Sequence, residues 1–191
     1  MSSSDERLRR SLAATGTWRP SEMRRAAVLC PILSRDGEDQ LLFVLHHEGP
    51  HAHAGQIGFP GGMREGDESP LQTALRECHE EVGAPPDIVA PLGELPPRSS
   101  TSSIDVHCVV GRVAPFEIVR DEREVARVLF APLRALADAG NWRDAPLPTA
   151  APVATGSPTV GPSTTLQFDL DGAVLWGLTA RFVRDLCARI V

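Results

Sequence analysis

The segment from Ser69 to Ala84 constrains the fold most, because both ends of a helix and the face it buries are signalled independently. Ser69 suits the N-cap, Pro70 the first helical position, and Gln72 stands at N3, where it closes a capping box with Ser69. Leu71, Ala74, Leu75, Cys78 and Val82 recur at helical spacing and form one apolar stripe. Gly83 suits the C′ position, and Pro85-Pro86 bar continuation. The spacing predicts a helix over 70–82.

The other side of that helix is chemically unusual. Glu77, Glu80 and Glu81 follow an E-x-x-E-E spacing, which puts the three carboxylates on one side. Anions so close repel unless a cation joins them, and the C-terminal end of a helix disfavours negative charge. Local rules broken together are expected at functional sites. A solvated acidic face is the bland reading of E-x-x-E-E alone. Three hard oxygen donors suit Mg²⁺, Mn²⁺ or Ca²⁺ better than zinc.

Charge and composition narrow the chemistry. The net charge is −6, which gives no broad basic surface for nucleic acid. An acidic chain acting on an anion needs a metal or a local arginine cluster. All 19 cationic residues are arginines, so P-loop, kinase-strand and Schiff-base lysines are excluded. No window has the apolar length of a membrane span and the first residues lack a signal-peptide core, so no membrane partner and a cytoplasmic location are expected. Cys30, Cys78, Cys108 and Cys187 form no C-x-x-C pair and read as small buried thiols.

A single domain over 1–191 is expected. It starts with a short charged helix within 5–15 and a strand over 25–33, in which Pro31 argues for an edge or a bulge. Asp36-Gly37 signals a hairpin to a strand over 41–45. Residues 46–58 form a loop containing histidine and glycine. Strands are expected at 88–95, 106–113, 125–130 and 166–170, a short helix at 132–139, and an amphipathic helix at the C-terminus. Residues 144–163, rich in Pro, Ala and Thr, read as a mobile excursion. The pattern is α+β, an α/β/α sandwich with a mixed sheet.

Gly62, Glu68 and the run Arg76-Glu77-Cys78-His79-Glu80-Glu81-Val82-Gly83-Ala84 resemble the Nudix box, Gly-x5-Glu-x7-Arg-Glu-apolar-x-Glu-Glu-x-Gly-apolar. Every required Gly, Glu and Arg is present, and Cys78 and Ala84 are mild choices at the aliphatic positions. The resemblance implies a Nudix-type sandwich with a catalytic loop-helix-loop and a hydrolase that cuts a diphosphate bond. It makes Glu77, Glu80 and Glu81 the ligands of Mg²⁺ or Mn²⁺. It makes Arg76 and Glu68 an ion pair that orients them, and Gly62 a turn residue whose carbonyl can reach a metal. The general base stays open between a box glutamate and Glu122 or Glu124.

The flanks resemble one branch of that family. His53-Ala54-Gly55-Gln56-Ile57-Gly58-Phe59-Pro60-Gly61-Gly62 is similar to the segment before the box in coenzyme A pyrophosphatases, as are residues 25–29 and 175–181. The branch implies hydrolysis of CoA and its thioesters to 3′,5′-ADP and the phosphopantetheine half. It places His46, His51, Gly55 and Phe59 against substrate. One departure stands out: the branch keeps arginines where this chain has His46 and His51, and Ser or Ala where it has His47. Histidine lacks arginine's fixed charge and bidentate fork. His79 is expected to face outward and His107 to be structural. Residues 98–103 read as a polar turn with the alternative of a site rim, and a homodimer stays open.

Overall fold

The computed structural model describes residues 3–47, 55–100, 102–147 and 164–190. Four helices and ten strands are present among them: α1 (Ser3–Ser11), β1 (Arg24–Arg35), β2 (Glu38–His46), β3 (Ile57–Gly58), β4 (Gly61–Met63), α2 (Pro70–Val82), β5 (Val89–Ser99), β6 (Ile104–Val113), β7 (Val125–Pro132), α3 (Leu133–Ala137), β8 (Trp142–Pro146), β9 (Thr164–Leu170), β10 (Ala173–Leu175) and α4 (Gly177–Ile190).

β1 to β7 form one mixed sheet. Its path runs β3-β2-β1-β6-β5, with β4 added to β1 and β7 to β2. β1 is parallel to β6 and antiparallel to β2 and β4. Asp36 and Gly37 link β1 to β2 with φ of 52° and 80°, the two left-handed positions of a tight hairpin turn.

Pro31 sits in a central strand, not at an edge. The Leu29 N–H donates to Pro60 C=O at 2.8 Å, so alternation turns the Pro31 nitrogen to that same side. It falls between the β4 pairing, which ends at Val28, and the β2 pairing, which begins at Ile32. A missing donor costs little where the strand changes partners.

Alternation gives the sheet two apolar faces. Ala27, Leu29 and Val109 pack with Ala74, Cys78 and Val82 of α2. Cys30, Ile32, Val106, Cys108 and Val110 pack on the other face with Leu8 of α1 and Phe182, Val183 and Leu186 of α4. This is the expected α/β/α sandwich, and all four cysteines are buried in it. Arg112 fastens α1 to the sheet, reaching Asp5 at 2.5 Å and Asp39 at 2.5 Å.

β8, β9 and β10 make a second, antiparallel sheet, of which the sequence signalled only β9, as the strand expected over 166–170. Residues 144–146, read as the start of an excursion, are strand: Asp144 pairs with Leu166 and Pro146 with Thr164. Trp142 anchors the strand, with its ring 5.2 Å from Phe168 and its indole N–H on Leu136 C=O at 2.8 Å. The rest of that stretch, 148–163, lies outside the described residues. No helix among the described residues is long and apolar enough to cross a membrane.

Candidate active site

β4, the loop 64–69 and α2 present the acidic residues. The helix has the boundaries that the sequence dictates. Ser69 Oγ accepts from Gln72 N at 3.3 Å, Gln72 Oε1 accepts from Ser69 N at 2.9 Å, and Gly83 closes the helix at φ 78°. Cys78 and Ala84 are buried and His79 is exposed.

Arg76 is the hub. Its Nε donates to Glu68 Oε1 at 2.8 Å and its Nη2 to Glu68 Oε2 at 3.2 Å, a bidentate grip. Nη2 also reaches Met63 C=O at 2.9 Å. Nη1 reaches Glu77 Oε1 and Glu80 Oε2, each at 2.9 Å. One guanidinium therefore ties the loop to two of the three helix carboxylates. The Arg76 hydrogen bonds hold the Glu68 carboxyl down at about 2, and Glu65 N–H and Thr73 hydroxyl add to them.

Glu81 differs from its neighbours. It is 3% exposed, and its Oε2 accepts from Gly61 N at 3.1 Å. Burial pushes its carboxyl up to about 8; the Gly61 N–H opposes this, and Glu77, Glu124 and Glu80 reinforce it. Burial also raises Glu77, against the pull of Arg76. A cation would relieve this concentration of buried negative charge.

Gly62 acts through close approach and not through a turn. It lies in β4 opposite Ala27, and a Cβ there would meet Glu77 Oε1 at 2.4 Å.

Two further segments border the carboxylates. The loop 114–124 lies on the C-terminal end of α2, where Asp121 N donates to Glu81 C=O at 3.0 Å. It brings Glu124 near enough to raise both Glu77 and Glu81. Glu122 instead pairs with Arg120 at 3.3 Å, and its carbonyl meets His47 Nε2 at 3.0 Å. The end of β2 is bound to the same loop, with His47 N on Glu124 C=O at 3.3 Å.

The residues expected against substrate are dispersed. His46 ends β2, with its N–H on Gln56 C=O at 3.2 Å. Gly55 has a left-handed φ of 66° and donates to His47 C=O at 3.1 Å. Phe59 points into the core. It is 3% exposed and stacks on Phe43 at 5.0 Å in the core opposite α2. His51 lies outside the described residues. His107 is structural, buried with its Nδ1 on Glu94 Oε2 at 3.2 Å. Arg98 turns away from the site to Asp185 of α4, at 2.5 Å.

The donors at the carboxylate cluster are all oxygens, the chemistry of a hard divalent ion and not of zinc. Among the described residues no three acidic, histidine or cysteine side chains converge on one point. In this arrangement Arg76 is the cation that Glu77 and Glu80 share. Glu80, with a side chain 55% exposed, is the one free to swing toward another.

The sequence model of the NUDIX domain matches residues 23–150. An uncharacterized Nudix hydrolase, NudL, of Yersinia pestis (strain Pestoides F) is 33% identical over 169 residues, covering 87% of this chain and 80% of that protein. NudL of Yersinia pseudotuberculosis (serotype O:1b) matches to the same extent. Among solved structures, a MutT/nudix family protein from Enterococcus faecalis superposes with a TM-score of 0.58 at 11% identity, over 100% of this chain and 74% of that one. The M. smegmatis Nudix hydrolase RenU gives 0.52 at 21%, over 66% and 81%. With the box complete, its helix formed and the domain match spanning most of the sequence, the chain belongs to the Nudix hydrolase family.

Proposed function

We propose that this protein hydrolyses the diphosphate bond of coenzyme A or a CoA derivative, releasing 3′,5′-ADP and a phosphopantetheine product. The observation that carries the hydrolytic reading is the cluster itself. Arg76 is bonded to Glu68, Glu77 and Glu80, and buried Glu81 stands beside them with a raised proton affinity. The CoA reading rests on Gly55 and Phe59-Pro60-Gly61-Gly62 and on the similarity of residues 25–29 and 175–181 to that branch.

In this reading Glu77, Glu80 and Glu81 hold Mg²⁺ or Mn²⁺, with the Gly62 carbonyl as a further donor. The ion supplies charge neutralisation at phosphate oxygens and a lowered pKa for bound water. The chain's own part is positioning. Glu68 fixes Arg76, Arg76 lines up the carboxylates, and the Gly61 N–H fixes Glu81. Glu124 takes the proton of the attacking water, because it borders Glu77 and Glu81 while remaining exposed.

A second reading is a Nudix pyrophosphatase for another nucleotide diphosphate derivative. The histidines at 46, 47 and 51 favour it, since the CoA branch has arginines at two of these positions. Purified protein with Mg²⁺ is incubated with CoA, 3′-dephospho-CoA, nucleotide sugars and dinucleoside polyphosphates, and the products are resolved. Release of 3′,5′-ADP from CoA faster than any other cleavage supports the first reading. Preference for another diphosphate replaces it with the second.

A further inference from the structure

The N-terminal coil between α1 and β1 crosses the sheet in a way that the box motif does not explain. Ala13 pairs with Glu94 at the free edge of β5, Glu94 N donating to Ala13 C=O at 2.8 Å and Ala13 N to Glu94 C=O at 3.2 Å. The approach is so close that a Cβ at Gly93 would lie 2.6 Å from Ala13 O. Gly16 N then donates to Glu94 Oε1 at 3.1 Å.

Beyond Gly16 the coil is fastened from below by buried polar groups of β5 and β6. Glu94 Oε2 accepts from His107 Nδ1 at 3.2 Å, and His107 Nε2 accepts from Arg19 N at 3.5 Å. Trp18 stands edge-on to that imidazole, with centroids 5.0 Å apart. The Arg19 guanidinium pairs with Asp105, which is fully buried, and bonds Ser99 Oγ at 3.0 Å. A solvated coil needs none of these contacts.

The coil delivers one donor to the catalytic loop. Trp18 Nε1 donates to Glu68 C=O at 2.6 Å. Arg64 Nε shares that carbonyl at 3.1 Å, and the Arg64 guanidinium lies 5.9 Å from the Trp18 ring. Glu68 is the residue whose carboxylate grips Arg76, which in turn holds Glu77 and Glu80.

We propose that residues 13–19 are a positioning strap for the catalytic loop, and that the Trp18 indole N–H, by holding the Glu68 carbonyl, sets the carboxylate that orients Arg76. Trp18 touches no reacting atom; it acts through Glu68. The proposal rests on the reading of Glu77, Glu80 and Glu81 as the catalytic carboxylates.

Trp18→Phe keeps a ring against His107 and deletes the donor. Trp142→Phe is the matched control, because it deletes an indole–carbonyl bond of 2.8 Å on the opposite face of the sheet. Hydrolysis is measured at saturating Mg²⁺, each variant at the same offset below its own Tm. The Trp18 variant loses about fivefold in kcat, the value of one such hydrogen bond, with KM unchanged, while the Trp142 variant keeps wild-type kcat. A second readout needs no turnover. Solvent exchange of the Arg76 Nε–H, assigned by its loss in Arg76→Lys, speeds up in Trp18→Phe and not in Trp142→Phe. Equal kcat losses in the two variants, or an Arg76 Nε–H unmoved in Trp18→Phe, overturn the strap. If the wild type cleaves no diphosphate but its Arg76 Nε–H responds to Trp18→Phe, the catalytic reading fails and the strap stands.

Discussion

The Glu77 carboxylate lies against the backbone of Gly62, with Oε1 in the space that a Cβ at position 62 would fill. Strand β4 and helix α2 are thus brought together across a carboxylate that Arg76 also grips. Gly62→Ala therefore acts on Glu77. The strand keeps its pairing with Ala27 while the carboxylate is driven off Arg76. Displacement of a positioned group by about 1 Å costs roughly a hundredfold in rate. Turnover should fall by about that factor with circular dichroism and Tm near wild type. Wild-type turnover would show that Glu77 yields without consequence.

Glu81 separates stability from activity. Its carboxylate is buried and accepts a hydrogen bond from Gly61 N. Glu81→Gln keeps the shape and an acceptor for Gly61 N while removing a carboxyl whose ionisation burial and three nearby carboxylates disfavour. Thermal stability in the absence of metal should hold or rise. Turnover should fall by about a hundredfold or more, and excess EDTA should silence the wild type. Full activity in the variant or in EDTA would remove Glu81 and the metal from the reaction.

The contrast between α2 and the second sheet shows what the sequence reveals. Caps, an N1 proline and an apolar stripe act within a few residues, so helix 70–82 appears with the boundaries that local chemistry sets. β8 depends on Trp142 meeting Phe168 across residues 148–163, and no local pattern announces a partner so far along the chain. The Trp18–Glu68 bond escapes for the same reason, at a separation of 50 residues. Phe59 is a different case, for its signal was present. Ile57 and Phe59 alternate as inward residues of an extended segment, and both are buried. For the base, the sequence leaves a box glutamate, Glu122 and Glu124 open; in the structure Glu122 pairs with Arg120 while Glu124 borders Glu77 and Glu81.

The pairing of β8 with β9 makes the segment between them replaceable. Pro146 and Thr164 are partners across the ladder, so the chain ends at that point already lie side by side. Residues 148–163 contribute no apolar periodicity, and prolines recur through them. A short Gly/Ser connection in place of 148–163, sparing β8 and Leu147, should leave Tm and kcat within about twofold of wild type. A collapse of turnover with an intact fold would mean that the segment reaches the substrate.

In the CoA reading, specificity turns on His46 and His51. His46 closes β2, and the neighbouring His47 is bound to Gly55 and to the Glu122–Glu124 turn, so this end of the sheet borders the carboxylate cluster. CoA carries a 3′-phosphate besides its diphosphate, and arginine offers that group a permanent charge and a planar fork that histidine does not. The double variant His46→Arg with His51→Arg should lower KM for CoA near pH 7. A well-formed charge-assisted contact is worth roughly 1.5–3 kcal/mol, which is about tenfold or more. If these positions meet the 3′-phosphate, KM for 3′-dephospho-CoA should change much less. Equal gains on both substrates would assign the positions to the diphosphate or to general attraction of anions. No CoA cleavage by either protein, with brisk cleavage of another diphosphate, would take the chain out of the CoA branch. It would leave the proposed roles of the carboxylates, Arg76 and Glu68 standing, because in that reading the cluster they form acts on the diphosphate bond and not on what it joins.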